Sequence, residues 1–106
     1  MEQMIQNPKY TIEEIREKVV PIAEQYRKNI ARVFLFGSYA RGDAKAKSDI
    51  DFRVDVKSGT GYFKLAEIYG DLEDSFDTKI DLLTTCGLRE KFLEKIAKDE
   101  ILLYAE

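Results

Sequence analysis

Apolar and polar positions along this chain follow helical spacing in some stretches and strand spacing in others. The first stretch places apolar residues on one helical face, namely Ile12, Ile15, Val19, Ile22, Ala23 and Tyr26. Thr11 and Glu14 form the Thr-x-x-Glu pattern of a capping box, which predicts a helix that begins near Ile12. Pro21 lies inside the pattern and predicts a kink or a second helical segment, and Asn29 is the predicted stop.

Three stretches have the composition of β-strands. Residues 32–36 form a compact apolar run that ends at Gly37, and residues 79–84 form another apolar run. Residues 50–56 alternate strictly, so one face carries Ile50, Phe52, Val54 and Val56 while the other carries Asp49, Asp51, Arg53 and Asp55. This alternation predicts a strand with one apolar face and one charged face.

Helices are predicted between and after these strands. A first helical turn is expected at residues 38–41, followed by a polar loop at residues 42–48. Residues 62–76 are predicted to form a helix weakened by Gly70, residues 88–98 form a further helix, and residues 101–104 close the chain as an apolar tail. The order helix, strand, strand, helix, strand, helix predicts an α/β (α+β) fold with a small mixed sheet and helices packed on one face.

Length and composition fit one domain that spans residues 1–106. The chain is 44% hydrophobic and 35% charged, and its net charge is −3. This balance favours neither direct nucleic acid binding nor attraction to an anionic membrane. The absence of histidine excludes His-based zinc sites and imidazole-activated nucleophiles, so acid–base chemistry has to use carboxylates, Lys, Tyr or water.

Three features predict a cytoplasmic location. The single Cys86 cannot form an internal disulfide, and residues 1–7 lack the apolar segment of a secretory signal. No apolar run approaches the ~20 residues that span a bilayer. These features are typical of a protein of the reducing cytosol.

The residues best suited to binding a phosphate lie after the first strand. Gly37 and Ser38 open a helical turn there, so backbone N–H groups and the Ser38 hydroxyl can converge on phosphate oxygens. Arg41 follows one helical turn later and can hold a phosphate through two N–H bonds. Ser48 either caps a phosphate or fixes the loop, and both alternatives remain open.

Two carboxylates stand at the head of the second strand. Asp49 and Asp51 are two residues apart, so their side chains share a face and start about 6–7 Å from each other. Carboxylates at this separation can hold one or two Mg²⁺ ions through hard oxygen ligands. A solvated outer face is the alternative, but strand interiors disfavour Asp and a pair of them needs an explanation.

A third acid is predicted on the next strand. Asp81 interrupts an apolar run, which costs several kcal/mol unless the carboxylate is paired or bound to metal. If this strand lies beside residues 50–56, Asp81 joins Asp49 and Asp51 as a third ligand, or as the base that takes a proton from the attacking hydroxyl. Asp55 and Asp77 are weaker candidates because each lies at the end of an element.

These residues resemble the motif of a known family. The run Gly37-Ser38-Tyr39-Ala40-Arg41-Gly42, followed by Ser48-Asp49-Ile50-Asp51, is similar to that of the minimal nucleotidyltransferases, a branch of the DNA polymerase β-like superfamily. The motif covers about fifteen residues, and its context of strand, turn and strand is met. The order of elements around it is similar to the family over nearly the whole chain.

The resemblance implies a polymerase β-like fold, two Mg²⁺ ions and ATP as the nucleoside triphosphate. It also implies that Gly37 and Ser38 bind the triphosphate and that Asp49 and Asp51 hold metal. Asp81 matches the third acid of the family by its place on the next strand. Stand-alone proteins of this kind often resemble antitoxins whose partner is a HEPN-type ribonuclease toxin, and there the small protein attaches AMP to a tyrosine of the toxin.

The predicted activity is therefore transfer of AMP from ATP to a tyrosine hydroxyl of a partner protein. The roughly 20 residues after Thr84 are too few for the helical domain that builds a small-molecule acceptor pocket, so a partner surface is expected to supply the hydroxyl. Two alternatives remain open. One is an antitoxin that neutralises its partner by occlusion, and the other is the catalytic subunit of a small-molecule (antibiotic) nucleotidyltransferase.

Overall fold

A computed structural model describes residues 7–106 as a four-stranded sheet with two helices on one of its faces. The strand order is β3-β2-β1-β4, with β1 antiparallel to β2 and β4, and with β2 parallel to β3. The strands are β1 (Ile30–Phe36), β2 (Ile50–Val56), β3 (Ile80–Thr84) and β4 (Ile101–Ala105). The helices are α1 (Ile12–Gln25), α2 (Gly37–Arg41), α3 (Tyr62–Ser75) and α4 (Glu90–Ala97). The predicted mixed sheet and fold class are confirmed.

Helix α1 begins where the capping box predicts. The Thr11 backbone N–H donates to Glu14 Oε1 at 2.8 Å, and the Glu14 backbone N–H donates to Thr11 Oγ1 at 3.0 Å. The helix runs through Pro21 without dividing and ends at Gln25, so the alternative of a second segment and the stop at Asn29 are wrong. Tertiary packing explains the continuity, because Val19 and Ala23 on either side of Pro21 are both buried against the sheet.

The apolar tail predicted at residues 101–104 is a strand. It pairs with β1 in antiparallel register, with Leu35 opposite Ile101 and Phe34 opposite Leu102. The pairing gives hydrogen-bond partners to the edge of β1 that β2 leaves open, a requirement that the prediction of an apolar tail did not consider. The sheet therefore has four strands, where the sequence pattern suggested three.

The core lies between the sheet and helices α1 and α3. Its largest fully buried side chains are Phe52, Ile15, Ile30, Leu35, Ile50, Ile68, Ile80, Val19 and Val54. The three from β2 are the apolar positions of the predicted alternation, so the opposite face of β2 is left for polar residues. Helix α4 touches that opposite face, because Phe36 shares a register position with Asp51 and its ring meets Phe92 edge-on at 6.1 Å.

A buried ion-pair network occupies the far half of the polar face. Arg53 is 8% exposed and donates to both carboxylate oxygens of Glu100 at 2.6 and 2.8 Å. Its guanidinium also bonds Asp55 at 3.1 Å and stacks over the Phe34 ring at 4.0 Å. Because Glu100 lies between α4 and β4, the network fastens that connection to the sheet.

Asp55 belongs to this network and not to a separate acidic site. Burial by itself would raise the pKa of Asp55, but hydrogen bonds from Thr85 and Arg32 and the charges of Arg53 and Arg32 outweigh it, so the pKa is lowered. A carboxylate whose pKa is lowered contributes stability above its unfolded pKa and loses it as pH falls through the folded value. Asp55 therefore contributes to acid lability of the fold.

No helix within residues 7–106 is long and apolar enough to cross a membrane. Residues 1–6, which supply most of the segment on which the absence of a secretory signal was argued, lie outside the described part of the chain.

Arg53→Met is expected to lower the free energy of unfolding by about 3 kcal/mol, because it leaves Glu100 as an uncompensated buried carboxylate and removes one of the two arginines paired with Asp55. Urea denaturation at neutral pH measures the change. Lys64→Met is the control, since it removes the exposed Lys64–Glu67 pair and a distant cation–π contact with Tyr26, and it is expected to cost below about 1 kcal/mol. Equal losses in the two variants would contradict the structural role of Arg53.

Candidate active site

Three strand ends meet where the sequence-predicted site residues lie. β1 ends there, and β2 and β3 both begin there, because α3 carries the chain back to the same end of the sheet. At this end Phe36 lies opposite Asp51 in the sheet, and Asp51 lies opposite Asp81. Gly37 follows Phe36 directly. The topology therefore brings the glycine turn and two of the predicted acids to one place.

Asp51 and Asp81 form a coupled carboxyl pair. Burial, followed by the charge of Asp81 and a hydrogen bond to it, raises the pKa of Asp51 from 3.8 to about 6. The charge of Asp49 adds to this rise, and the charge of Arg41 opposes it. Two carboxylates forced together in this way attract a cation, because a cation relieves their repulsion.

Gly37 and Asp51 approach each other closely. Gly37 has φ +78°, and a Cβ built on it would lie 2.1 Å from Asp51 Oδ2. Only glycine satisfies both conditions, since other residues avoid this φ and no side-chain carbon fits at that distance. The carboxylate of Asp51 is therefore packed directly against the backbone of the turn.

The turn is continued by the short helix α2. Tyr39 is 3% exposed and anchors α2 in the core, while Ser38 beside it is half-buried at the start of the helix. Gly42 ends α2 in the left-handed conformation with φ +88°. Arg41 is about half exposed and its Nε lies 3.3 Å from Asp43 Oδ2, so its guanidinium is near Asp51 without being bound to it.

Ser48 and Asp49 lie in the approach to β2. Ser48 Oγ accepts the Lys45 backbone N–H at 2.7 Å. Of the two alternatives left open for Ser48, this hydrogen bond matches the one in which its side chain fixes the loop. Asp49 Oδ2 lies 3.9 Å from Lys79 Nζ. The charge of Asp49 adds to the rise in the pKa of Asp51, but the ion-pair partner of the Asp49 side chain is Lys79.

Lys79 is the residue that sequence reasoning missed here. The parallel register offered a way to find Lys79, since it precedes Asp81 by two residues as Asp49 precedes Asp51. The weaker candidate Asp77 is not part of the site, because its side chain is 96% exposed and pairs only loosely with Lys9 at 3.9 Å.

The carboxyl pair suits Mg²⁺ in chemistry and number. Within residues 7–106 no three His, Cys, Asp or Glu side chains converge closely enough to hold an ion by themselves. Mg²⁺ does not require this, because it is commonly bound by one or two carboxylates together with substrate phosphates. Asp51 and Asp81 supply two hard oxygen ligands, and Asp51 lies directly beside the glycine turn.

The fold, and the acids and glycine turn at this end of the sheet, are those of a nucleotidyltransferase-type domain. Residues 17–106 match the family model described as polymerase beta, nucleotidyltransferase. The chain therefore belongs to the polymerase β nucleotidyltransferase family.

Relatives in sequence carry related names. A provisionally named protein adenylyltransferase of Methanocaldococcus jannaschii is 30% identical over 90 residues, which are 85% of this chain and 95% of the relative. The protein adenylyltransferase MntA of Thermococcus cleftensis is 27% identical over 93 residues, which are 86% of this chain and 94% of MntA.

Solved structures show the same fold. A protein described provisionally as a minimal nucleotidyltransferase superposes with a TM-score of 0.75 at 26% identity, covering 90% of this chain and 98% of that one. The MNT antitoxin complex with a tri-AMPylated HEPN toxin of Shewanella oneidensis includes a similar chain, with a TM-score of 0.66 at 17% identity, covering 87% of this chain and 71% of that one. The second likeness is one of fold alone.

Gly37→Ala is expected to lower the free energy of unfolding by about 2–3 kcal/mol, because it adds a clash with Asp51 to the strain of a positive φ. Urea denaturation measures the loss. Gly59→Ala is the matched control, since Gly59 has φ +88° with open space around it and only the strain of about 1 kcal/mol applies. Equal losses would show that the approach of Asp51 is not a constraint.

Asp51→Asn is expected to stabilise the metal-free protein near neutral pH. The folded pKa of Asp51 is raised to about 6 from 3.8, so stability associated with its protonated form is present below 3.8 and is lost as pH rises through about 6. Allowing for solvent screening, the gain is about 1 kcal/mol at about pH 8 and disappears at about pH 4. Thermal unfolding in EDTA at both pH values measures it. A variant less stable than the parent at the higher pH would contradict the repulsion between the acids.

Proposed function

We propose that this protein transfers AMP from ATP to a tyrosine hydroxyl of a HEPN-type toxin and thereby acts as its antitoxin. The observation that carries the proposal is the Asp51–Asp81 pair on a nucleotidyltransferase fold, with the Asp51 carboxylate against the Gly37 turn. The names of the relatives and of the complex with an AMPylated HEPN toxin support the choice of nucleotide and partner. The need for ATP makes the cytoplasm the proposed compartment.

The site residues take distinct roles in this proposal. Asp49, Asp51 and Asp81 would hold Mg²⁺ together with the substrate phosphates and not by themselves. When bound, Mg²⁺ would neutralise triphosphate charge and stabilise the leaving pyrophosphate. The backbone of Gly37 and the hydroxyl of Ser38 bind phosphate oxygens.

Three further roles concern charge and proton transfer. Arg41 is free to turn from Asp43 to the triphosphate because both side chains are about half exposed. Ser48 holds the loop before the acids and offers its hydroxyl to a phosphate. In the reaction the acceptor oxygen bonds to the α-phosphorus, the bond to pyrophosphate breaks, and Asp81 accepts the hydroxyl proton.

Neutralisation of the partner by occlusion is the second candidate. The exposed aromatic pair Tyr62 and Phe63 favours it, because such surfaces commonly contact another protein. In that case the protein would inhibit its partner without adding AMP. Among residues 7–106 no contact favours the third alternative, a subunit that modifies a small molecule such as an antibiotic.

Asp51→Asn and Asp49→Asn are expected to abolish AMP addition to the partner while leaving the domain folded. The assay mixes this protein, the HEPN-type protein of the same genome, Mg²⁺ and ATP, and follows the partner mass by mass spectrometry. Asp77→Asn is the matched control and is expected to retain full activity, because Asp77 is an exposed acid outside the site.

Three results would count against the proposal. If the two variants still add AMP, the acids have another role. If partner inhibition survives both changes undiminished, occlusion is the function. If labelled ATP modifies small molecules instead of the partner, the third alternative is favoured.

A further inference from the structure

Phe36 is buried on the face of the sheet that carries the acids, and not in the core. It lies opposite Asp51 in the antiparallel register of β1 and β2, so its ring shares a face with that carboxylate. The exposed fraction of Phe36 is 8%, yet its side chain is not part of the core that packs against α1 and α3. Helix α4 provides cover instead, because the Phe92 ring meets the Phe36 ring edge-on at 6.1 Å. The residue before Gly37 is therefore packed against a helix outside the core.

Helix α4 is weakly packed on the sheet. None of its eight residues is buried, and its N-cap residue makes no side-chain hydrogen bond to the helix. The apolar side chains Phe92, Leu93 and Ile96 are all only half-buried. An isolated helix of this length is not stable in water, so contacts beyond the helix itself have to fix its position.

Arg53 holds both ends of the segment that contains α4. At its beginning, Arg53 Nη1 donates to Thr85 Oγ1 at 2.5 Å. At its end, Arg53 Nε and Nη2 donate to the two carboxylate oxygens of Glu100 at 2.6 and 2.8 Å. Residues 85–100 therefore form a strap, called here the α4 strap, whose two ends meet on one buried guanidinium. Joining both ends to one group restricts the ways in which α4 can cross the face of the sheet.

The contact between Phe36 and Phe92 lies next to the turn that binds phosphate in the proposed function. Phe36 is the N-cap residue of α2, and Gly37 follows it with φ +78°. Glycine has more backbone freedom than any other residue, so its neighbours have to restrict the turn. On the side after the turn, Tyr39 is 3% exposed and packs in the core. The turn is thus held between two aromatic anchors, one in the core and one under α4.

We propose that Phe92 is a positioning residue for the nucleotide, because its ring holds Phe36 and thereby the Gly37 turn. The proposal rests on the proposed function, in which this turn binds the triphosphate. It adds the α4 strap to the parts of the protein that determine nucleotide affinity. Phe92 acts through Phe36, and a site loses affinity when the side chains that support its binding groups are loosened.

Binding of AMP-PNP with Mg²⁺, measured by isothermal titration calorimetry in the absence of a partner, is the first test. Phe92→Ala is expected to weaken binding about tenfold, because the Gly37 turn loses one of its two anchors. Phe92→Tyr keeps the ring and is expected to bind as the parent does. Ile96→Ala is the matched control, since it truncates a half-buried apolar side chain one turn later in α4 and is expected to change affinity by less than about twofold.

Amide hydrogen exchange measures whether the turn itself is loosened, and it needs neither metal nor partner. In the nucleotide-free protein, Phe92→Ala is expected to raise exchange rates about tenfold in residues 37–42. Ile96→Ala is expected to raise them within α4 alone. In AMP transfer, Phe92→Ala is expected to raise KM for ATP while kcat stays within about twofold, because the interaction lost is one of binding.

Two results would overturn the positioning role. If Phe92→Ala changes neither nucleotide affinity nor exchange in the turn, the core alone holds the turn. If Phe92→Ala and Ile96→Ala weaken binding equally, the helix as a whole is required and not the Phe92 ring. Should Phe92→Ala fail to fold, Phe92→Leu takes its place with the same expected pattern. Phe92-dependent nucleotide binding in a protein that adds no AMP to the HEPN-type protein would support the positioning role and contradict the proposed function.

Discussion

The contact between the Asp51 carboxylate and the backbone of Gly37 is the constraint on which the site depends. The antiparallel register of β1 and β2 sets it, because Phe36 lies opposite Asp51 and the chain must then turn at the next residue. A residue with a Cβ would push the carboxylate out of this position. The Gly37 turn and the Asp51 carboxylate are therefore one structural unit, in which a shift of either strand by one residue would separate them.

The second acid of the pair arrives through a different connection. β3 is parallel to β2, so α3 must carry the chain back along the sheet before β3 begins. The buried side chains Ile68 and Leu72 hold α3 on the core and thereby fix where Asp81 starts. Long-range packing of α3, and not local sequence, determines that the two carboxylates meet.

The alternation of β2 could be predicted from the sequence because each of its positions has an unambiguous polarity. The bounds of β2 could be predicted for the same reason. The capping box of α1 and the glycine turn could also be predicted, because each has a recognisable local sequence pattern. β4 could not be predicted, because the run Ile-Leu-Leu-Tyr lacks alternation and its partner strand lies far away in the chain. Pro21 also misled, since local propensity predicts a break that burial of the neighbouring turns overrides.

Within the site, residue type could be predicted but pairing could not. The acids were identifiable because Asp is disfavoured in strands, yet the lysine beside Asp49 depends on the register between β2 and β3. The alternation of β2 places Arg53 on the outward face. Its burial results from contacts with Glu100 and Phe34, which are distant in sequence and meet Arg53 only in the folded structure. Such contacts come from tertiary structure, which periodicity does not encode.

One face of β2 shows how the protein separates stability from function. In the half of this face away from the site, Asp55 and Arg53 form ion pairs with each other. Arg32 also pairs with Asp55 and Glu100 with Arg53, so this half is fully paired. Asp51 is paired only with another acid, and its raised pKa reflects that imbalance. Since the fold does have arginines available on the same face, the missing countercharge at Asp51 is a local property of the site. An excess of negative charge at one end of a neutralised strand is what a cation-bound triphosphate can relieve, and the rest of the face can remain rigid while it does so.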